Sequence, residues 1–366
     1  MRTSTVQLLK NLGWNVVVVM PSSENVVRFI EEEGILRIPL RGNQRLAAIF
    51  QRIGYQEDYL DKWVEDAYSY LQGTVKPSDI VFSTSGGELG TIKLGAILKR
   101  KIGCKFVVNY RDPTDYTLVH GLKKDNRFHV SRESNEKKYL SCSDLVLTSS
   151  KSNLVNLSTK YQDLNIINNY FGYVKETDVK CNKRKRNKIR IAYAGSMLKK
   201  VQDPSYLIDI FTLMSQRENF EVYFIGDTSK NKELVNKSKM FENVYFLDHM
   251  SHPEYLDFMM NNIDIGFLSL SKDYYGACVP SKLYEYINLI KPMVAILPEG
   301  DAKDIINSNH YGLALGSCDL EKAAKYLDSL FDGNELYVCE SNIRKDKHLW
   351  SMNHLIKDVD TLLKNL

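Results

Sequence analysis

The chain has 366 residues, enough for two or three domains that each bury a core of their own. Its composition, 43% hydrophobic and 26% charged, is that of an ordinary globular protein, and no apolar run approaches the ~20 residues that would span a bilayer. The formal net charge is +4, yet seven basic and no acidic residues fall between Lys180 and Arg190, so the remainder sums to −3. Such a run suits a solvated linker or an anionic membrane surface. No aromatic residue interrupts it and no nucleic-acid module adjoins it, so nucleic acid is not an expected partner. The six cysteines are scattered without a C-x-x-C pair, which argues for reduced thiols in a cytoplasmic protein and against a zinc site.

In chain order, residues 2–12 read as a helix with Val6, Leu9 and Leu12 on one face. No h-region of a signal peptide is visible there. The apolar run Asn15–Met20 reads as a strand buried on both faces. A helix over 24–33 and a short strand at 36–40 follow. Residues 43–71 read as helical and aromatic-rich, with Phe50, Tyr55, Tyr59, Trp63, Tyr68 and Tyr70 expected mainly to pack. The strand Ile80–Thr84 runs into Ser85-Gly86-Gly87-Glu88, where turn chemistry or an approach of backbone N–H groups to an anion would explain the glycines. The next strand, Lys105–Tyr110, ends in Arg111-Asp112-Pro113, and polar residues at such carboxyl ends sit where open α/β sheets bind ligands. His120 and His129 lie in the polar stretch after it. Strands at 144–148 and 164–168 flank a helix that starts near Ser152.

From Ile189 the strand–helix alternation restarts and continues to a helix at 319–331, which predicts a second parallel sheet covered on both faces. Tyr193-Ala194-Gly195-Ser196 ends its first strand. Gly195 allows close approach to the backbone, and Lys199 and Lys200 could neutralise a diphosphate there, though without the bidentate fork of arginine. Phe224-Ile225-Gly226-Asp227 ends the next strand at the same sheet edge. A solvated turn would also account for these residues. No Asp-x-Asp stands beside a strand end; Asp264-Ile265 continues a strand.

The stretch Tyr274–Pro298, YYGACVPSKLYEYINLIKPMVAILP, carries the most chemistry. A glycine-containing loop meets Pro280, which is pre-organised for a helix start. Ser281, Lys282 and Leu283 then form a first turn whose N–H groups and dipole suit a phosphate. Glu285 lies one turn on, placed to accept hydrogen bonds from a ribose diol. The plain structural alternative is a surface helix with Leu283, Tyr286 and Ile287 packed inward and Glu285 solvated.

PSKLYEY followed by KPMVAI resembles the donor-binding segment of family 4 glycosyltransferases of the GT-B fold, closest to bacterial members that build surface polysaccharides. The resemblance implies two Rossmann-like domains of doubly wound parallel sheet. These are an acceptor-side domain over 1–178, a basic linker over 179–188 and a nucleotide-sugar-binding domain over 189–345. A terminal helix within 346–366 returns towards the first domain, with Trp350 as its anchor there. It implies transfer of a sugar from a nucleoside-diphosphate sugar to a saccharide or lipid-linked hydroxyl acceptor, with retention and without a metal or other cofactor. With a lipid-linked acceptor, the basic run suits peripheral contact with the anionic inner membrane face. Gly195, Ser196, Gly226, Pro280, Ser281, Lys282, Leu283 and Glu285 fall at donor-binding positions. Lys199 and Lys200 fall at leaving-group positions, and Asp112 at the acceptor loop, where an Asx-type turn is the alternative. The acid that many relatives carry eight residues before Glu285 is Ala277 here. A sugar-nucleotide epimerase of the same fold, or a non-catalytic sugar-nucleotide-binding subunit, are the rival readings. In the resembling family a strand and glycine-rich loop precede a helix like that at 2–12, so roughly 15–20 residues upstream of Met1 are expected.

Overall fold

The computed structural model describes residues 2–112, 127–179, 187–199, 201–271, 276–332 and 334–366. The chain divides into two compact units, Met1–Tyr170 with Leu355–Leu366, and Phe171–His354. The division falls between Tyr170 and Phe171, next to Gly172 in its left-handed conformation. It lies upstream of the boundary expected at 178, because residues 173–177 are bonded into the second unit: Tyr173 N–H to the Trp350 carbonyl, and Thr177 N–H to Asn288.

The first unit holds two sheets. Strands β1 (Val18–Ser22), β2 (Arg28–Ile30) and β3 (Ile35–Pro39) form one in the order β1-β3-β2, with β1 parallel and β2 antiparallel to β3. The helix expected over 24–33 is therefore not formed. Gly34, at φ +66°, closes a reversal that sets Arg28–Ile30 against Ile35–Arg37, and this pairing overrides the helical spacing of the apolar residues. Strands β4 (Ile80–Gly86), β5 (Lys105–Asp112), β6 (Leu145–Thr148) and β7 (Ile166–Asn168) form the other, all parallel and in chain order.

The helix Gly90–Ile102 lies against β5 so closely that any side chain at Gly95 would strike the Phe106 ring. Leu89, Ile92, Ala96, Phe106, Val108 and Tyr110 form the core on that face. On the other face, Leu9 of the helix Arg2–Asn11 meets Val107, Leu145 and Leu147, together with Ile356, Val359 and Leu363 of the helix Met352–Lys364. Trp14 Nε1 donates to Asp360 across 2.7 Å. Of the six aromatics in 43–71, Trp63 is buried and Tyr68 packs beside it, whereas Phe50, Tyr55, Tyr59 and Tyr70 are exposed.

In the second unit six parallel strands run β10-β9-β8-β11-β12-β13, from β8 (Ile189–Ala194), β9 (Phe220–Ile225), β10 (Val244–Leu247), β11 (Ile265–Ser269), β12 (Met293–Ile296) and β13 (Gly312–Leu315). This is the doubly wound dinucleotide-fold order, with its switch point between β8 and β11. The four inner strands β9, β8, β11 and β12 are almost wholly buried, as a sheet covered on both faces requires, whereas the edge strands β10 and β13 are partly exposed. Trp350, expected as an anchor in the first unit, lies in the second. Its indole N–H donates to the Tyr311 hydroxyl at 3.0 Å and its ring packs on Tyr284, 6.0 Å between centroids. Among the described residues no helix is long and apolar enough to cross a membrane.

Candidate functional site

The switch point of the second sheet gathers most of the residues singled out above. At the end of β8, Gly195 takes φ +135°, and Gly226 at the end of β9 takes the same value. A side chain on Gly226 would put its first carbon 2.7 Å from the Gly195 carbonyl oxygen, so contact and φ both require glycine there, while at Gly195 the space is open and φ alone does. Tyr193, whose hydroxyl burial keeps protonated, donates to the Ser196 carbonyl at 2.5 Å and so pins the turn that follows. Ser196 is exposed on this turn.

Beside it, across the switch point, β11 leads through the loop containing Gly276 into the helix Ser281–Asn288. Gly276 and Gly300 cross backbone to backbone. A side chain at Gly276 would meet the Glu299 carbonyl at 2.0 Å, and one at Gly300 the Gly276 carbonyl at 2.2 Å. Pro280 is the N-cap, with φ −62° and ψ 137°, and its ring offers no oxygen to cap the first turn. The Leu283 N–H turns back to the Pro280 carbonyl at 3.0 Å. Among the described residues no acceptor is bonded to the N–H groups of Ser281 or Lys282.

The helix is seated by Tyr286, fully buried over Gly266, where a methyl group would overlap its ring at 2.4 Å. Asn288 ties its far end to residues 175–177 through the Lys175 carbonyl and the Thr177 hydroxyl. Leu283, Tyr286 and Ile287 pack inward and Glu285 is partly exposed, as in the plain reading of the helix, but Glu285 is not free. Its carboxylate accepts from Lys282 Nζ at 2.7 Å, and that ammonium stands 3.9 Å from the centre of the Tyr255 ring. Leu283 is wholly buried, so its side chain serves the core and is out of a ligand's reach. Ala277 is buried too.

Lys199 lies on the exposed turn after Ser196, bonded to Glu233 at 2.5 Å. Lys200 lies outside the described residues, as does the basic run over 180–186. Arg190, counted in that run, belongs to β8 and pairs with Glu221 at 2.8 Å.

In the first unit, Asp112 ends β5 opposite Gly86. Burial raises its carboxyl above the ordinary value, Arg111 opposes this and Glu88 adds to it. Glu88, which the sequence reading passed over, closes the glycine turn by accepting from the Gly86 N–H at 2.8 Å. The buried Asp58 accepts from the Leu89 N–H at 2.9 Å, at the start of the helix Gly90–Ile102. The chain's own side chains thus take the N–H groups of Gly86, Gly87 and Leu89, the Gly87 N–H donating to the Ser85 hydroxyl. His120 and the His129 side chain lie outside the described residues. Sequence reasoning also missed a cavity of about 480 Å³ beyond the end of β10, lined by Asp248, His249, Met250 and Phe258; polar residues after an edge strand were its only signal.

Residues 174–345 match the family described as Glycosyl transferases group 1. No curated protein matches the chain in sequence. Among solved structures, the chain is similar to sucrose-phosphate synthase from Thermosynechococcus elongatus, at 14% identity and TM-score 0.71, covering 99% of this chain and 91% of that one. It is similar to the lipopolysaccharide outer core galactosyltransferase WaaB, at 13% identity and TM-score 0.69 over 100% and 94%. Anabaena HepE, solved with UDP and glucose, aligns at 14% identity and TM-score 0.62 over 92% and 88%. The fold is therefore the GT-B fold of two Rossmann-like domains, and its second unit carries the Glycosyl transferases group 1 match.

Proposed function

We propose that the chain is a glycosyltransferase of the family 4 type that moves a sugar from a nucleoside-diphosphate sugar to a hydroxyl acceptor in surface-polysaccharide synthesis. The observation that supports this most is the junction of Gly195, Ser196 and the uncapped helix start at Pro280–Lys282, on the carboxyl side of a doubly wound sheet's switch point. In this reading the Ser281 and Lys282 N–H groups receive the diphosphate, and Glu285 receives the ribose diol once its bond to Lys282 is exchanged. Lys199 and Lys200 offset the charge that develops on the departing diphosphate, a stabilisation that needs no metal. Asp112, its carboxyl raised by burial, orients the acceptor hydroxyl, which is that of a saccharide or a lipid-linked saccharide. Retention, a hexosyl donor, metal independence and action at the cytoplasmic face of a membrane belong to the same proposal.

A panel of nucleoside-diphosphate sugars in a thermal-shift assay tests the binding half, since a ligand of the native state raises the unfolding midpoint. Release of nucleoside diphosphate that depends on added acceptor, unchanged by a chelator, supports the transferase. A non-catalytic binding subunit is the second reading, favoured by Ala277, whose buried methyl offers no polar group to a sugar. Binding without turnover across the panel would select it.

A further inference from the structure

The helix Gln44–Arg52 is built inside out. Its small and polar residues face the protein: Ala47 and Ala48 are half-buried, and Gln51 is buried with its amide donating to Asp58 at 3.4 Å. Its large apolar residues face water: Leu46 is 50% exposed, Ile49 51% and Ile53, just past its end, 57%. At 100° per residue these, with Phe50, form one stripe, and Tyr55 extends it, its ring 5.5 Å from that of Phe50. The helix is fixed locally, without help from that stripe. The Asn43 side chain caps the N–H groups of Arg45 and Leu46, and Gly54 at φ +73° closes the other end.

Charge decides what the stripe meets. Residues 41–56 contain Arg41, Arg45 and Arg52 and no acid. Asp66 pairs with Arg41, so the net positive charge of the segment rests on Arg45 and Arg52. Glu57 is held by Lys93 and Lys138, Asp61 by Lys93, and Asp58 is buried beneath Gln51. An apolar stripe edged by arginine, with tyrosine at its end, has the character of a helix lying in a membrane interface.

We infer that the helix Gln44–Arg52 docks the first unit onto an anionic lipid surface, with Leu46, Ile49, Phe50 and Ile53 immersed and Arg45 at the headgroups. This goes beyond the donor site and stands whether or not the chain transfers sugar. It also moves the expected membrane contact from the basic run at 180–190 to a folded helix.

The test is co-sedimentation with vesicles of phosphatidylcholine alone or mixed with phosphatidylglycerol. The protein partitions onto the mixed vesicles, roughly tenfold better than onto neutral ones, and salt weakens this. Ile49→Glu/Ile53→Glu, at exposed positions and with an unchanged unfolding midpoint, lowers partitioning at least about tenfold. Arg45→Glu removes much of the salt-sensitive part. Ile53→Trp gives emission that shifts to the blue and is quenched by brominated lipid. Failure of the unaltered protein to bind anionic vesicles, or full binding by the double glutamate variant, overturns the inference. So does a self-associated protein that this variant renders monomeric without any vesicle binding, which would assign the stripe to a second copy of the chain.

Discussion

Lys282 and Glu285 are bonded to each other across 2.7 Å within the first two turns of the helix Ser281–Asn288. The Glu285 carboxylate that the proposed donor would use is thus pre-positioned by the Lys282 ammonium, which has the Tyr255 ring beneath it. A donor that bonds Glu285 replaces one partner with another instead of ordering a free side chain. Glu285→Ala is expected to weaken donor binding by roughly 1.5–3 kcal/mol, the range for hydrogen bonds to a charged group. Titration calorimetry of the folded variant checks it, and unchanged affinity would remove Glu285 from the site.

Gly226→Ala probes the paired glycine turns. Its methyl would press on the Gly195 carbonyl at 2.7 Å, and its φ of +135° suits no other residue. The strain is expected to cost on the order of 1–3 kcal/mol of stability in the second unit. Because relief requires Gly195 to move, nucleotide affinity is expected to fall as well. Denaturant unfolding and calorimetry on the same variant measure the two effects, and a loss of neither would show the turns to be adaptable.

Replacing Lys199 and Lys200 together by alanine is expected to lower turnover roughly a hundredfold, the scale of losing one group that stabilises transition-state charge. The exposed pair of Lys199 with Glu233 contributes little to folding, so the unfolding midpoint should stay where it is. Steady-state rates beside a melting curve decide. Wild-type turnover would place the leaving-group charge elsewhere.

Glu57 predicts an acid-sensitive first unit. Burial works to raise its carboxyl, but hydrogen bonds from Lys93, Tyr139 and Lys138 outweigh it and hold the group down at about 2. A depressed carboxyl contributes stability that is whole above its unfolded value of 4.5 and is lost as pH falls from there to about 2. With the side chain partly exposed and screened, the contribution is on the order of 1–3 kcal/mol. The hydrogen-exchange protection of the helix Asp61–Leu71, taken relative to the intrinsic rate at each pH, should fall from pH 5 to 3 in the natural protein and much less in Glu57→Gln. Parallel behaviour of the two would dismiss the network.

The second unit was legible almost strand by strand, because a sheet covered on both faces writes itself as separated apolar runs such as IRIAYA and IGFLS. Pro280 marked its helix start correctly for the same local reason: the ring sets the entry geometry by itself. What failed to show depended on distant partners. Residues 28–30 carry helical spacing and became a strand because β3 was available to pair with. The apolar residues at 46, 49, 50 and 53 have the period of a core helix, and nothing in that period says which way the face turns. The turn at Gly86 looked open to a ligand, but Glu88 takes the Gly86 N–H, the Ser85 hydroxyl takes that of Gly87, and Asp58, some thirty residues earlier, takes that of Leu89. Trp350 was assigned to the wrong unit because its partners, Tyr284 and Tyr311, are brought to it only by the fold.

The division of the first unit into two sheets also bears on how the protein survives outside ideal conditions. β1 pairs only with β3 and β4 only with β5, so each leaves one side of its backbone without a neighbouring strand among the described residues. Val17 and Met20, within the apolar run that forms β1, remain 52% and 39% exposed. Apolar strands with open sides recruit strands from other molecules. On storage, warming or overproduction, insoluble cross-β material should therefore seed from residues 17–22 and 80–86, while the four inner strands of the second unit, each paired on both sides, keep their fold.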